Sequence, residues 1–155
     1  MGQDEAQIKD LYVPFACICT GLVLMAVDSL LLTRGAYKDL LHAILIGLVV
    51  RAVSYTIVML LGLSLCSWFG YAFEPYLTSL LQLTGVALLA CTLGDTLGTV
   101  IGCAGPYVNI ILCLGLIGYF FAHDVINAVI AIFLLLAGHS VVNFVLLPMA
   151  KTFFK

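Results

Sequence analysis

Charged residues are scarce in this chain, and its few cations are dispersed. Only 9% of the 155 residues are Asp, Glu, Lys or Arg, compared with about 25% in a typical soluble domain. The formal net charge is -2 and no cluster of Lys or Arg occurs, so we expect no nucleic-acid partner. Hydrophobic residues make up 64% of the chain, and the mean hydropathy is +1.22. This composition predicts that the lipid bilayer surrounds most of the molecule.

Motifs that carry catalysis or hold cofactors are also missing. The sequence contains no HExxH, no GxSxG and no glycine-rich phosphate loop, which are patterns of zinc peptidases, serine hydrolases and nucleotide-binding proteins. His42, His123 and His139 are too dispersed to suggest a metal site from their spacing. We therefore predict no enzyme activity, no catalytic residues, no metal and no cofactor.

Paired cysteines are absent as well. There is no CxxC, which a membrane thiol oxidoreductase would be expected to use as its redox pair. Six single cysteines are scattered through or beside apolar runs, at positions 17, 19, 66, 91, 103 and 113. We interpret them as small hydrophobic residues buried in the fold.

Long apolar runs are what the sequence does contain. They are continuous and lack the period-two alternation of a barrel strand, so they predict an all-α, polytopic transmembrane helix bundle. The longest run, residues 40–73, would be roughly 51 Å long as one helix, which exceeds the hydrocarbon core of about 30 Å. Trp68 and Tyr71 favour the interface between lipid and water, which places a span over residues 48–68.

Five spans account for the apolar runs, at residues 12–32, 48–68, 76–98, 107–121 and 125–149. The fourth run is short for a span, so a four-span bundle is the competing interpretation. The predicted organisation is a short polar N-terminal tail over 1–11, a single bundle over 12–150 and a short basic C-terminal tail over 151–155.

The basic residues predict the orientation of the bundle in its membrane. With five spans, Lys9 lies on one side, and four other cations lie on the opposite side, namely Arg34, Lys38, Lys151 and Lys155. The positive-inside rule makes this second side cytoplasmic. The N terminus is then outside and the C terminus in the cytoplasm.

Three charged residues fall in the same third of the predicted bundle. Asp28 lies near the end of the first span, Arg51 near the start of the second and Asp95 near the end of the third. An isolated carboxylate in lipid is costly, so pairing with Arg51 is the simplest arrangement. The cluster is interpreted as a contact that fixes helix packing, with a conducting or substrate-binding role and extension of Arg51 to the headgroups as alternatives.

Small residues recur every four positions near the end of the third span, at Ala90, Gly94, Gly98 and Gly102. A small-xxx-small series lets another helix approach closely, so these residues predict a helix contact, either within the bundle or with a partner. If the helix continues past Gly98, Gly105 and Pro106 are expected to end it.

His139 and Asn143 lie four residues apart in the last span and therefore share a face. The first interpretation is a hydrogen bond between helices, and the alternative is a proton or ion relay with Asp95 or Asn127.

The sequence Asp10-Leu11-Tyr12-Val13-Pro14, directly before the first predicted span, resembles the DLY-x-P entry of the Yip/Yif family of five-span membrane proteins. This resemblance implies a non-enzymatic role in membrane trafficking through partner binding. The chain departs from the family pattern in having no long cytoplasmic N-terminal region and in the orientation that its basic residues favour.

Three functions are compatible with these features. The leading hypothesis is a structural or adaptor subunit of a larger membrane assembly, whose partners are other membrane-protein subunits or further copies of the chain. The alternative is a small transporter or channel component that uses Asp28, Arg51, Asp95 and His139. The third is trafficking or partner recruitment, as the family resemblance implies.

Overall fold

The computed structural model describes residues 8–33, 37–71, 73, 75–121, 124–146, 148–149 and 152, with the side chains of residues 9, 29–33, 37–47 and 104 outside this description. Five α-helices follow one another along the described chain. They are α1 (Val13–Thr33), α2 (Tyr37–Trp68), α3 (Tyr76–Ile101), α4 (Ala104–Phe120) and α5 (Val125–Val141), with a π-helical turn before α1 (Ile8–Tyr12) and another after α5 (Val142–Leu146).

Four of these helices contain segments long and apolar enough to cross a membrane, and α4 is a shorter apolar helix. The chain is therefore a helical multi-pass membrane protein with four to five spans, and the predicted fold class is confirmed. The predicted second span coincides with the apolar segment Leu48–Trp68 of α2. With 17 residues, α4 is about 26 Å long, which is shorter than a typical hydrocarbon core.

Helix α3 forms the centre of the bundle. In its apolar segment 67% of the residues are buried, against 22% in each of the other three long segments. Small residues bring α1 directly against it, since a Cβ added at Gly85 would lie 2.9 Å from the carbonyl oxygen of Pro14. Likewise a Cβ at Gly21 would lie 2.8 Å from the backbone of Leu88. Close backbone approach of this kind is a common way to pack helices in lipid, where apolar side chains gain little by leaving the solvent.

Helices α2 and α5 pack together beside α3. Met59 and Leu63 of α2 are completely or almost completely buried, as is Ala131 of α5. Gly138 of α5 lies against Met59, so that a Cβ there would come within 2.6 Å of the methionine methyl group. The five helices thus surround one apolar core that includes residues from each of them.

The ends of two helices have local explanations in the sequence. After α2, Gly70 adopts a positive φ of 86°, a conformation that glycine reaches without strain, and the chain turns there. At the start of α5 the carboxylate of Asp124 accepts hydrogen bonds from the backbone N–H groups of Ile126 and Asn127. This N-cap satisfies two donors that the first helical turn leaves without intrahelical partners.

Two details differ from the sequence predictions. Residues 8–12, most of them assigned to the polar tail, form a turn continuous with α1, and Asp10 accepts a hydrogen bond of 3.3 Å from Gln82 of α3. Of the six cysteines, Cys17 and Cys91 are buried, but Cys19 and Cys103 are exposed. The expectation of uniform burial was wrong because Cys19 lies on the outer side of α1 and Cys103 lies in the short connection between α3 and α4.

Candidate functional site: a charged cavity at one end of the bundle

Asp28, Arg51 and Asp95 meet at one end of the bundle, although they belong to three different helices. The Nη1 atom of Arg51 lies 3.9 Å from Oδ2 of Asp28 on α1 and 3.6 Å from Oδ2 of Asp95 on α3. Asp28 and Asp95 lie near the ends of α1 and α3, whereas Arg51 lies in the first half of α2, so α2 runs in the opposite direction to α1 and α3. The three side chains therefore link the three helices electrostatically.

These ion pairs are long. Both distances exceed the separation of about 2.7–3.2 Å expected for an N–H···O hydrogen bond. The side chain of Asp28 is 5% exposed, and its Oδ1 atom has no hydrogen-bond partner. A buried carboxylate oxygen without a donor is costly, so the cluster retains unused capacity to bind a donor or a cation.

A cavity of about 540 Å³ adjoins the three charged side chains. Its volume holds several water molecules. Its lining contains residues of all five helices or their extensions, namely Asp28, Arg51, Gly94, Asp95, Gly98, Thr99, Gly102, Gly105, Pro106, Asn109, His139 and Asn143. The cavity brings together all four residues named for a transport role. Cationic and anionic side chains that can form hydrogen bonds therefore line one space.

His139 bonds to α2 as well as lining the cavity. Its Nδ1 atom lies 2.9 Å from the hydroxyl group of Tyr55, which links α5 to α2. The side-chain nitrogen of Asn143 is 3.0 Å from Nε2 of the same ring. The contact with Tyr55 is a hydrogen bond between helices, as expected of His139, whereas the contact with Asn143 lies within α5 and its extension.

Asn127 does not belong to this site. It lies in the first turn of α5, three turns from His139, and lines a cavity of about 330 Å³ that also contains Asp10, Gln82 and Asp124. The predicted relay from His139 to Asn127 is therefore wrong, because the two residues lie near opposite ends of α5. Asp95, the other residue named for a relay, does share the charged cavity with His139.

Gly94 and Gly98 lie against α4. A Cβ at Gly94 would come within 2.7 Å of the Cβ of Asn109, and one at Gly98 would lie 3.8 Å from the Cα of Gly105. Ala90, one turn before Gly94, has no exposed surface. Gly94 and Gly98 therefore make their helix contact within the bundle, with α4.

Gly102 does not continue this contact. It has a positive φ of 69° and a Cβ there would meet nothing within 4 Å. Gly102 is the C-cap of α3, and its backbone N–H donates to the carbonyl oxygen of Gly98. The predictions that Gly102 contacts a helix and that Gly105 and Pro106 end α3 were therefore wrong. The positive φ of Gly102, which glycine reaches without strain, already ends the helix, and Gly105 and Pro106 lie in the first turn of α4.

An apolar groove, which the sequence analysis missed, continues from the charged cavity. Its volume is about 210 Å³, and Asn109 and His139 line both spaces. The remaining lining is Cys91, Ile110, Cys113, Leu114, Ile117, Ile132, Leu135 and Leu136. The one indication in the sequence was Asn109, a polar residue in the apolar sequence of α4. A groove between α4 and α5 depends on the distance between these helices, which no local sequence pattern predicts.

Several predicted features lie outside the described residues. They are the side chains of Lys9, Arg34, Lys38, His42, His123, Lys151 and Lys155, on which the orientation and part of the histidine analysis depend. Within the described ranges, no group of three His, Cys, Asp or Glu residues is arranged to hold a metal ion. Comparison of the chain with family models, curated proteins and solved structures gives no match.

Proposed function

We propose that the protein is a non-enzymatic subunit of a larger membrane assembly, which binds a partner helix through the outer face of α4. The observation that carries this proposal is a pair of glycines, Gly115 and Gly118, which are both exposed. A Cβ added at either position would meet nothing within 4 Å. This exposed pair leaves a shallow surface on which another backbone can lie closely.

The neighbouring side chains support the same interpretation. Tyr107 and Ile111 precede Gly115 at four-residue spacing and therefore share its face. They are 68% and 69% exposed, so this strip of α4 is largely uncovered by the described part of the chain. A partner helix on this strip would also shelter the shortest helix of the bundle. The partner is another membrane-protein subunit or a second copy of this chain.

The connections between the helices support a binding role over catalysis. Residues 69–75 join α2 to α3, residues 102–103 join α3 to α4, and residues 121–124 join α4 to α5. Such short connections leave little room for an active site outside the helices. Binding of a partner through the helices is therefore the simplest function for this bundle.

The Yip/Yif resemblance suggests membrane trafficking as the setting for this partner binding. Two residues of the motif are bound to the central helix: Asp10 accepts a hydrogen bond from Gln82, and Pro14 is buried beside Gly85. These two residues of the motif therefore hold the beginning of α1 against α3. The trafficking role is proposed from the resemblance of this pentapeptide and of the predicted span count.

A substitution on α4 tests the proposed partner surface. Gly118→Ile places a branched side chain on the strip, whereas Ala137→Ile makes a comparable change at an exposed position of α5. After gentle solubilisation from the native membrane, we expect Gly118→Ile to run as a smaller complex on native electrophoresis and Ala137→Ile to resemble the wild type. Equal complex sizes for all three proteins, each with wild-type helicity, would refute the proposal.

A second candidate function is that of a small transporter or channel component. The cavity of about 540 Å³ favours it, because the cavity joins Asp28, Arg51, Asp95 and His139. Uptake of a polar solute into vesicles that contain the purified chain would support this function. Activity that is unchanged in Asp95→Asn would argue that the cavity does not form the path.

A further inference from the structure

Two spaces of opposite character follow one another along α4 and α5. At the end of the bundle, Gly105 and Asn143 line the charged cavity. Farther into the bundle, Leu114 and Leu135 line the apolar groove. Because Asn109 and His139 line both spaces, the polar and apolar parts adjoin in the order of a lipid headgroup and its acyl chain.

The charged cavity contains groups suited to both halves of a zwitterionic headgroup. Arg51 is paired with the two carboxylates at 3.6 and 3.9 Å, distances too long for direct hydrogen bonds. The guanidinium group therefore keeps N–H donors that a phosphate accepts in bidentate geometry. The two carboxylates offer acceptors for a cationic group, and they outnumber the single guanidinium.

Asp28 identifies the kind of cation that fits. Asp28 lines the cavity, its side chain is 5% exposed, and its buried Oδ1 atom has no donor. A primary ammonium group carries three N–H donors, whereas a quaternary ammonium group carries none. The carboxylate therefore gains a charge-assisted hydrogen bond from the first group but not from the second.

We propose that the charged cavity and the apolar groove together bind one phospholipid with an ethanolamine headgroup. Its ammonium group binds Asp28 and Asp95, its phosphate binds Arg51, and one acyl chain lies in the groove between α4 and α5. The site is separate from the strip of α4 that carries Gly115 and Gly118. Lipid binding is thus a second property of the chain, independent of the partner contact.

Lipid competition on the full chain tests the proposal. The purified protein is equilibrated in detergent with equal amounts of phosphatidylethanolamine and phosphatidylcholine that have identical acyl chains, and the retained lipid is counted by native mass spectrometry. We expect the ethanolamine lipid to be retained about tenfold more, as one charge-assisted hydrogen bond implies. Asp28→Asn should remove most of this preference, whereas Asp10→Asn, at the opposite end of the bundle, should preserve it.

The groove is tested by a matched pair on α4. Leu114→Trp fills the apolar groove, whereas Ile111→Trp adds the same side chain on the outer strip. We expect only Leu114→Trp to reduce lipid retention. Equal loss in both variants, or in neither, would refute the assignment of the acyl chain to the groove.

A series of headgroups provides a test that needs no substitution. Successive N-methylation of the ethanolamine group removes its N–H donors while the charge and the phosphate remain. Retention by the wild-type chain should fall along this series. Equal retention of all its members would overturn the proposal, and so would preferential retention of phosphatidylglycerol, which lacks the ammonium group.

Discussion

The two sides of α4 use glycine in opposite ways. On the inner side, a Cβ at Gly105 would lie 2.7 Å from the Cα of Gly98 and would also collide with Gly94. On the outer side, Gly115 and Gly118 have open space where a Cβ would be. One helix therefore contains glycines that the fold has already used for packing and glycines that remain available to another molecule. Glycine content alone does not distinguish them, since the difference lies in the neighbouring backbone.

The largest effect is expected when both sides receive the same methyl group. Gly105→Ala should lower the free energy of unfolding by about 3 kcal/mol, because its Cβ meets backbone atoms that cannot rotate away. Gly115→Ala should leave stability unchanged or raise it by about 0.5–1 kcal/mol, since alanine favours the helix. Reversible unfolding of the two variants in mixed detergent micelles measures the difference. Equal stabilities would show that the contact between α3 and α4 accommodates a methyl group at Gly105.

At the charged end of the bundle, substitutions of Arg51 measure how much its charge contributes to stability. Arg51→Leu leaves Asp28 and Asp95 without their cation and should lower the free energy of unfolding by about 2 kcal/mol. Breaking a fully buried ion pair costs about 3–5 kcal/mol of stability. The expected loss is smaller here because the Arg51 side chain is 26% exposed. Unfolding in detergent is again the measurement.

Two further variants separate lost charge from lost packing at Arg51. Arg51→Lys keeps the cation and should retain more stability than Arg51→Leu. Adding Asp28→Asn to Arg51→Leu should recover part of the loss, because one uncompensated carboxylate disappears. If the double variant were no more stable than Arg51→Leu, the ion pair with Asp28 would contribute little and packing would account for the effect.

The fold followed from the sequence because it depends on local composition. The span over residues 48–68 was marked by an apolar run and by Trp68 at its end, and both are properties of adjacent residues. The meeting of Asp28, Arg51 and Asp95 was also foreseeable, since alternating helix directions place these positions at one level. The high cost of isolated charge in lipid then favours their association.

The features that the sequence did not reveal depend on distances between helices. Gly98 and Gly102 have the same residue type and belong to one four-residue series, yet only Gly98 faces α4 and Gly102 ends α3. The apolar groove beside Leu114 exists because α4 and α5 leave a gap, which their apolar sequences would also permit them to close. Helix periodicity indicates which residues share a face, but it does not specify how far away the next helix lies.

The smallest effect is expected at the hydrogen bond between α2 and α5. Tyr55→Phe removes the hydroxyl group that lies 2.9 Å from His139 and should cost about 0.6 kcal/mol, a typical value for such bonds in membrane proteins. Tyr107→Phe, on the exposed strip of α4, is the matched control and should have no effect in the isolated chain. If Tyr55→Phe destabilised the bundle as much as Gly105→Ala, hydrogen bonding would rank with close backbone packing in holding these helices together. A small loss would show that this hydrogen bond contributes less than the inner glycine contact, since Tyr55→Phe keeps an aromatic ring at a position that is 2% exposed.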